Sequence, residues 1–123
     1  MVKLALSKIF GDHVFFFTPE DDTKIIQDTL DMIYNKQETN QFGDDRYAVY
    51  FMPGTYDVSA NVGFYTQLAG LGVLPTDTRL SSVNTYARWL ENPYGLHNAT
   101  CNFWRSIENM EMQSDTVWAV SQA

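Results

Sequence analysis

The stretch Val49-Tyr50-Phe51-Met52-Pro53-Gly54-Thr55-Tyr56 decides the architecture. With Tyr47 and Ala48 its first half forms a six-residue run, 47–52, rich in residues that favour strands. Pro53 and Gly54 break the run as a turn requires, and Tyr56-Asp57-Val58 reads as a second short strand. Downstream, strands are predicted over 62–69, within 80–86, over 102–107, at 110–112 and over 116–120. The connections between them are irregular and polar, and no Asn-Gly or Asp-Gly dipeptide marks a two-residue hairpin. Such spacing suits a coil that returns the chain one rung up each time, where only the stacking of neighbours closes the core.

Upstream, Thr18-Pro19-Glu20-Asp21-Asp22-Thr23 is a helix start. Thr18 or Asp22 can cap, Pro19 suits a first helical position, and the acids complement the positive helix end rather than form a calcium site. Ile26, Leu30, Ile33, Tyr34 and Gln37 then fall on one face, which predicts an amphipathic helix over 22–38 with Lys36 near its negative end. The first coil of a β-helix needs its edge hidden, and this helix is placed to hide it. The expected fold is therefore mostly β: an N-terminal amphipathic capping helix followed by the first coils, about 47–123, of a right-handed parallel β-helix. Residues 1–123 are read as one domain, the N-terminal fragment of a longer β-helix. Its last rung, at 115–121, is expected to lie open and to promote self-association.

Composition agrees with one ordered domain. The chain has 123 residues, 45% hydrophobic and 19% charged. A net charge of −7 argues against nucleic acid or an anionic membrane as partner. Cys101 is the single cysteine, so an intramolecular disulfide and a thiolate metal site are excluded, and Cys101 is expected in the core. His13 and His97 are isolated, and no metal is expected. Gly70-Leu71-Gly72 lacks the third glycine and following helix of a dinucleotide site, so no cofactor is expected either. Residues 1–8 do not read as an export signal, and no run approaches a membrane span of ~20 residues.

Asp21-Asp22-Thr23, Ile26-Gln27 and Leu30-Asp31, followed by the Pro53-Gly54-Thr55-Tyr56 strand, resemble the opening of pectate-lyase-like right-handed β-helix proteins. Residues 61–72 resemble the next coil, and residues 98–110 resemble a later one in bacterial proteins similar to glycoside hydrolase family 55. The resemblance covers about 11–123. It implies a polysaccharide or oligosaccharide partner and an extracellular parent several times longer. It also implies glycosidic-bond cleavage by two carboxylates on middle coils that this chain lacks. The chain would then be the non-catalytic cap and first coils. The alternative is a non-catalytic carbohydrate-binding or surface-adhesion module.

Within that frame, alternation along 102–107 places Phe103, Arg105 and Ile107 inward and Trp104, Ser106 and Glu108 outward. An exposed Trp104 beside Glu108 would make a sugar platform. An inward Arg105 needs an acid partner or a bulge that turns it out. Glycosidases place two carboxyl groups ~5 Å or ~6.5–9.5 Å apart, which adjacent rungs can satisfy. Glu108 and Glu111 fall on opposite faces of a straight strand, so Asp57, from another coil, is the other catalytic candidate beside Glu108. Asn109 is expected at a coil corner, bonded to a counterpart one rung away.

Overall fold

A computed structural model of the protein describes residues 8–91, 97–99 and 101–113. In chain order the elements are β1 Val14–Phe17, α1 Thr23–Gln37, β2 Tyr47–Phe51, β3 Gly54–Asn61, β4 Thr66–Gly70, β5 Thr78–Asn84, β6 Tyr86–Glu91, β7 His97–Ala99, β8 Ile107–Glu108 and β9 Glu111–Met112. Two parallel sheets dominate, one in the order β1-β2-β4-β8 and one in the order β3-β5-β9. Each rung therefore contributes one strand to each sheet: β2 and β3, then β4 and β5, then β8 and β9.

Parallel register stacks like positions on top of one another. Phe15, Val49, Leu68 and Ile107 form one inward ladder, and Phe17 with Phe51 begins another. Tyr56, Leu80 and Met112 face them from the second sheet. In β2 and β3 the inward residues Val49, Phe51, Tyr56, Val58 and Ala60 are buried, so the alternation read from 47–58 is the core. A bulge between Tyr56 and Ser59 absorbs one extra residue in β3.

Among the described residues, the rung below β2 has β1 in the first sheet but no strand in the second; α1 stands there instead. Asp22 caps α1 by accepting from the Lys24 and Ile25 amides. Ile26, Leu30, Ile33, Tyr34 and Gln37 are buried, as the helical periodicity predicts. Gln27 imitates the missing strand. Its Nε2 donates to the Ser59 carbonyl (2.8 Å) and its Oε1 accepts from the Ser59 amide (2.9 Å). One side-chain amide thus satisfies a donor and an acceptor on the β3 edge, and the apolar face of α1 covers the core beneath it.

The end of α1 is held as tightly. Gln37 Nε2 donates to the carbonyls of Asp45 and Phe64, and the Phe64 amide donates to the Gln37 carbonyl. Gly63 permits this approach, because a Cβ there would lie 2.7 Å from the Gln37 carbonyl group and 2.8 Å from the Glu38 nitrogen. Backbone cannot yield as a side-chain tip can. Gly63→Ala is expected to cost about 2 kcal/mol, a fall of roughly 8 °C in Tm, and thermal melting followed by circular dichroism checks it.

Several elements differ from the sequence reading. The stretch 62–69 is extended only from Thr66, because Gly63 to Tyr65 pack around the end of α1. The stretch 80–86 divides into β5 and β6, and β6 pairs antiparallel with β7. Residues 102–107 are not a strand: Cys101 and Asn102 turn, and pairing begins only at Ile107. The cause is Asn102, whose buried Nδ2 donates to the Glu38 carbonyl and so ties the chain inward. Cys101, expected in the core, is exposed on that turn. The strand at 116–120 and the open rung at 115–121 lie outside the described residues.

Asn109 does hold a corner, with a left-handed φ of 56°. Its Nδ2 donates to the carbonyls of Gly70 and Gly72 at 2.8 Å each, so its partners on the rung below are backbone rather than another asparagine.

Candidate functional site

The starts of β1, β2 and β4 carry a groove on the outer face of the first sheet. Its floor is the outward ladder Val14, Ala48 and Gln67, in register across three strands. Small side chains at the first two positions leave an open depression of about 280 Å³. Arg46, Tyr47, Tyr65 and Arg105 complete the lining. Arg46 and Tyr65 each immediately precede a strand, and Arg105 precedes β8 by two residues. The register that pairs Tyr47 with Thr66 therefore brings Arg46 beside Tyr65.

Tyr65 organises these side chains. Its backbone is left-handed, φ 53°, and its hydroxyl donates to the Gln41 carbonyl at 2.7 Å. The Arg46 guanidinium lies 3.5 Å from the ring centroid, and that of Arg105 lies 4.9 Å from it. Arg46 Nη1 donates to the carbonyls of Gly43 and Asp45, and Arg105 Nη1 to that of Trp104. His13 stacks on Tyr47 with ring centroids 4.2 Å apart, and its Nδ1 lies 3.2 Å from the Arg46 carbonyl.

Trp104 is 42% exposed and meets Phe64 and Tyr65 edge-on, at 4.9 and 5.6 Å. Glu108 is exposed and accepts from Gln67 Nε2 at 2.9 Å. The turn at Cys101–Asn102 sends Arg105 outward, while Phe103 and Ile107 pack against the core. Trp104 and Glu108 do not line the groove; each contacts one of its lining residues, Trp104 meeting Tyr65 and Glu108 bonding Gln67, and the regular alternation invoked for them is absent. Asp57 lies elsewhere, on the outer face of β3 in the second sheet, where it accepts from Ser81 Oγ at 3.0 Å. The fold does not bring Asp57 and Glu108 together. Among the described residues no group of His, Cys, Asp and Glu could hold a metal ion.

A second polar cluster pins α1 to β6. Glu38 accepts from Tyr34 Oη (2.8 Å), from the Arg88 amide and Nε (2.9 Å each) and from Arg88 Nη2 (2.7 Å). Burial alone would raise the Glu38 pKa, but the bonds from Arg88 and Tyr34 outweigh it and hold the carboxyl below its ordinary range. The Tyr34 hydroxyl is pushed up, first by burial and then by Glu38. Arg88 Nη2 also donates to Asn35 Oδ1, so the cluster ties β6 to the helix at two points, as a structural clamp does.

Arg46, Tyr65 and Gln67 were not singled out by the sequence. The signal that could have found them is the rung register, which stacks the residues that precede successive strands.

Residues 18–123 match the family described as Rhamnogalacturonase A/epimerase, pectate lyase-like. An exo-beta-1,3-glucanase from Streptomyces sp. (strain SirexAA-E / ActE) is 48% identical over 118 residues, 92% of this chain and 18% of that protein. The solved structure of sacteLam55A from Streptomyces sp. SirexAA-E is 44% identical, with a TM-score of 0.69, over 85% of this chain and 18% of its own. A structure of a variant of that protein in complex with glucose gives the same values. The chain is thus homologous to the N-terminal region of a glucanase and spans 18% of its length.

Proposed function

The chain belongs to the pectate lyase-like rhamnogalacturonase A/epimerase family, and from that premise we propose that it forms the cap and first coils of a carbohydrate-active β-helix protein whose cleavage chemistry lies outside these residues. The observation that carries the reading is α1 in the place of a strand, with Gln27 pairing the β3 backbone at Ser59. A helix so placed starts a stack of rungs. The separation of the two candidate carboxylates supports the second half: Asp57 belongs to one sheet and Glu108 to the other, and each is engaged by a neutral neighbour. A hydrolytic pair needs both groups at one bond.

Incubation of the chain with β-1,3-glucan and other glucans, followed by reducing-end detection, is expected to show no release. Release that disappears in Glu108→Gln would overturn the proposal.

A second reading, non-catalytic saccharide binding, is favoured by Trp104. It is a large aromatic surface left 42% exposed, in edge-on contact with Tyr65. Trp104→Ala is expected to weaken saccharide binding by about tenfold or more, the loss of a major aromatic contact. Titration calorimetry on a variant with an unchanged circular dichroism spectrum measures it.

A further inference from the structure

We propose that the outer face of the first sheet, over β1 and β2, is an interface on which a second copy of this chain docks about a two-fold axis. This face is distinct from the last rung at 115–121. A conflict between sequence and exposure marks it. A strand with one face in water alternates apolar and polar residues, whereas a parallel strand covered on both faces reads as a continuous apolar run. β1 is Val14-Phe15-Phe16-Phe17 and β2 is Tyr47-Ala48-Val49-Tyr50-Phe51. Phe15, Phe17, Tyr47, Val49 and Phe51 belong to the core or pack against it, which leaves Val14, Phe16, Ala48 and Tyr50 on the outside. The second sheet obeys the ordinary rule: Thr55, Asp57 and Ser59 point outward on β3, and Arg79 lies beside Thr55 on β5. The doubly apolar pattern is therefore a property of one face.

Register makes that face continuous. Phe16 pairs with Tyr50, their ring centroids 5.3 Å apart, and Phe10 extends the stack beyond Phe16 at 5.6 Å. Ile9 and Phe10, which lead into β1, are 73% and 55% exposed. A contiguous patch of this kind marks an interaction surface.

Charge identifies the occupant. At the end of the face where the strands begin, Arg46 and Arg105 share the Tyr65 ring. Neither pairs with a carboxylate among the described residues, unlike Arg79 with Glu111 and Arg88 with Glu38. Asp44 and Asp45, exposed beside Arg46, enter no ion pair among the described residues either. The rim thus carries unpaired charges of both signs. A two-fold contact presents a patch to its own copy, so a rim with both signs is its own complement. A partner of one sign would satisfy only half of it. Two copies of a chain with 15 acidic residues against 8 Lys and Arg repel at long range, and the unpaired arginines ease the approach by this face.

The size of the patch sets the strength. Three strands about 4.8 Å apart, each giving about 13 Å of length, span roughly 200 Å² in projection. Even with Phe10 and the rim, this is below the about 800 Å² per partner of a standard interface, so a dissociation constant on the order of tens of micromolar is expected.

The test is sedimentation equilibrium of the whole chain at concentrations below and above that constant. A monomer–dimer equilibrium is expected. Tyr50→Lys and, separately, Phe10→Asp should each weaken it about tenfold or more, the loss of an aromatic contact at the centre. Thr55→Lys, the same kind of change on the second sheet, should leave it unaltered. Circular dichroism identifies a variant that has not folded, and the other aromatic substitution then decides. Arg46→Glu/Arg105→Glu leaves the rim wholly acidic, and Asp44→Lys/Asp45→Lys leaves it wholly basic. Each alone should dimerise more weakly than the native chain, and their equimolar mixture should recover association that added salt weakens. A chain that stays monomeric at every concentration overturns the proposal. Dimerisation that both aromatic substitutions leave unchanged places the contact elsewhere and overturns it too. A mixture that stays monomeric overturns the two-fold, self-complementary arrangement.

Discussion

Leu30→Asp should remove most of the stability of the fold, by about 4 kcal/mol or more. Leu30 is 3% exposed in the middle of the α1 face that covers β3. Truncating such a leucine costs about 2–5 kcal/mol through lost burial and the cavity left behind. Aspartate adds a charge among the apolar side chains of the core cluster. A domain of this size holds about 5–15 kcal/mol in total, so little would remain. Met32→Asp is the control, because Met32 is 38% exposed on the same helix and its replacement should stay within about 0.5 kcal/mol. Urea unfolding of the two variants separates them; equal midpoints would mean that α1 does not close the core.

Glu38→Ala should cost about 3 kcal/mol, the lower end of the range for breaking a buried ion pair. The lower end applies because Arg88 is half-exposed and can turn to water once its partner is gone. The single Tyr34 hydroxyl proton can turn wholly to the Tyr86 carbonyl, 2.7 Å away, and so limits the damage further. The same carboxylate gives stability a dependence on pH. Its folded pKa lies below the ordinary value of 4.5, so its contribution is complete above that value and is lost as pH falls through the folded one. Melting temperatures measured downward from neutral pH should therefore fall more steeply in the native chain than in Glu38→Gln. Parallel curves would show that Glu38 carries no such linkage.

Local periodicity explains which parts of this fold could be read in advance. The five buried positions of α1 recur at helical spacing, and the run from Tyr47 through Val58 alternates visibly around Pro53-Gly54. Both signals sit within about a dozen consecutive residues. The turn at Asn102 has no such signal, because a contact to Glu38, 64 positions away, creates it. Cys101 follows that turn to the surface. The groove is illegible for a related reason: Arg46, Tyr65 and Arg105 become neighbours only when three rungs stack. Trp104 and Glu108 could be found as exposed chemistry, but which side chains they contact could not. Asn109 was legible as a corner since one side chain with two strong bonds fixes it, whatever its partners.

The pairing of Gln27 with Ser59 also sets a direction in time. One amide occupies the β3 edge on the α1 side, so new strands can be added only on the other, by β5 and then β9. During synthesis the residues of α1 leave the ribosome before those of β3, and β3 before β5. Translation thus supplies the strands in the order in which the protected stack can accept them. Each incoming rung meets a finished template, and in the second sheet only the growing edge is open to a wrong partner. A one-residue slip of register at the first rung would carry into the ladders stacked on it and exchange core for solvent.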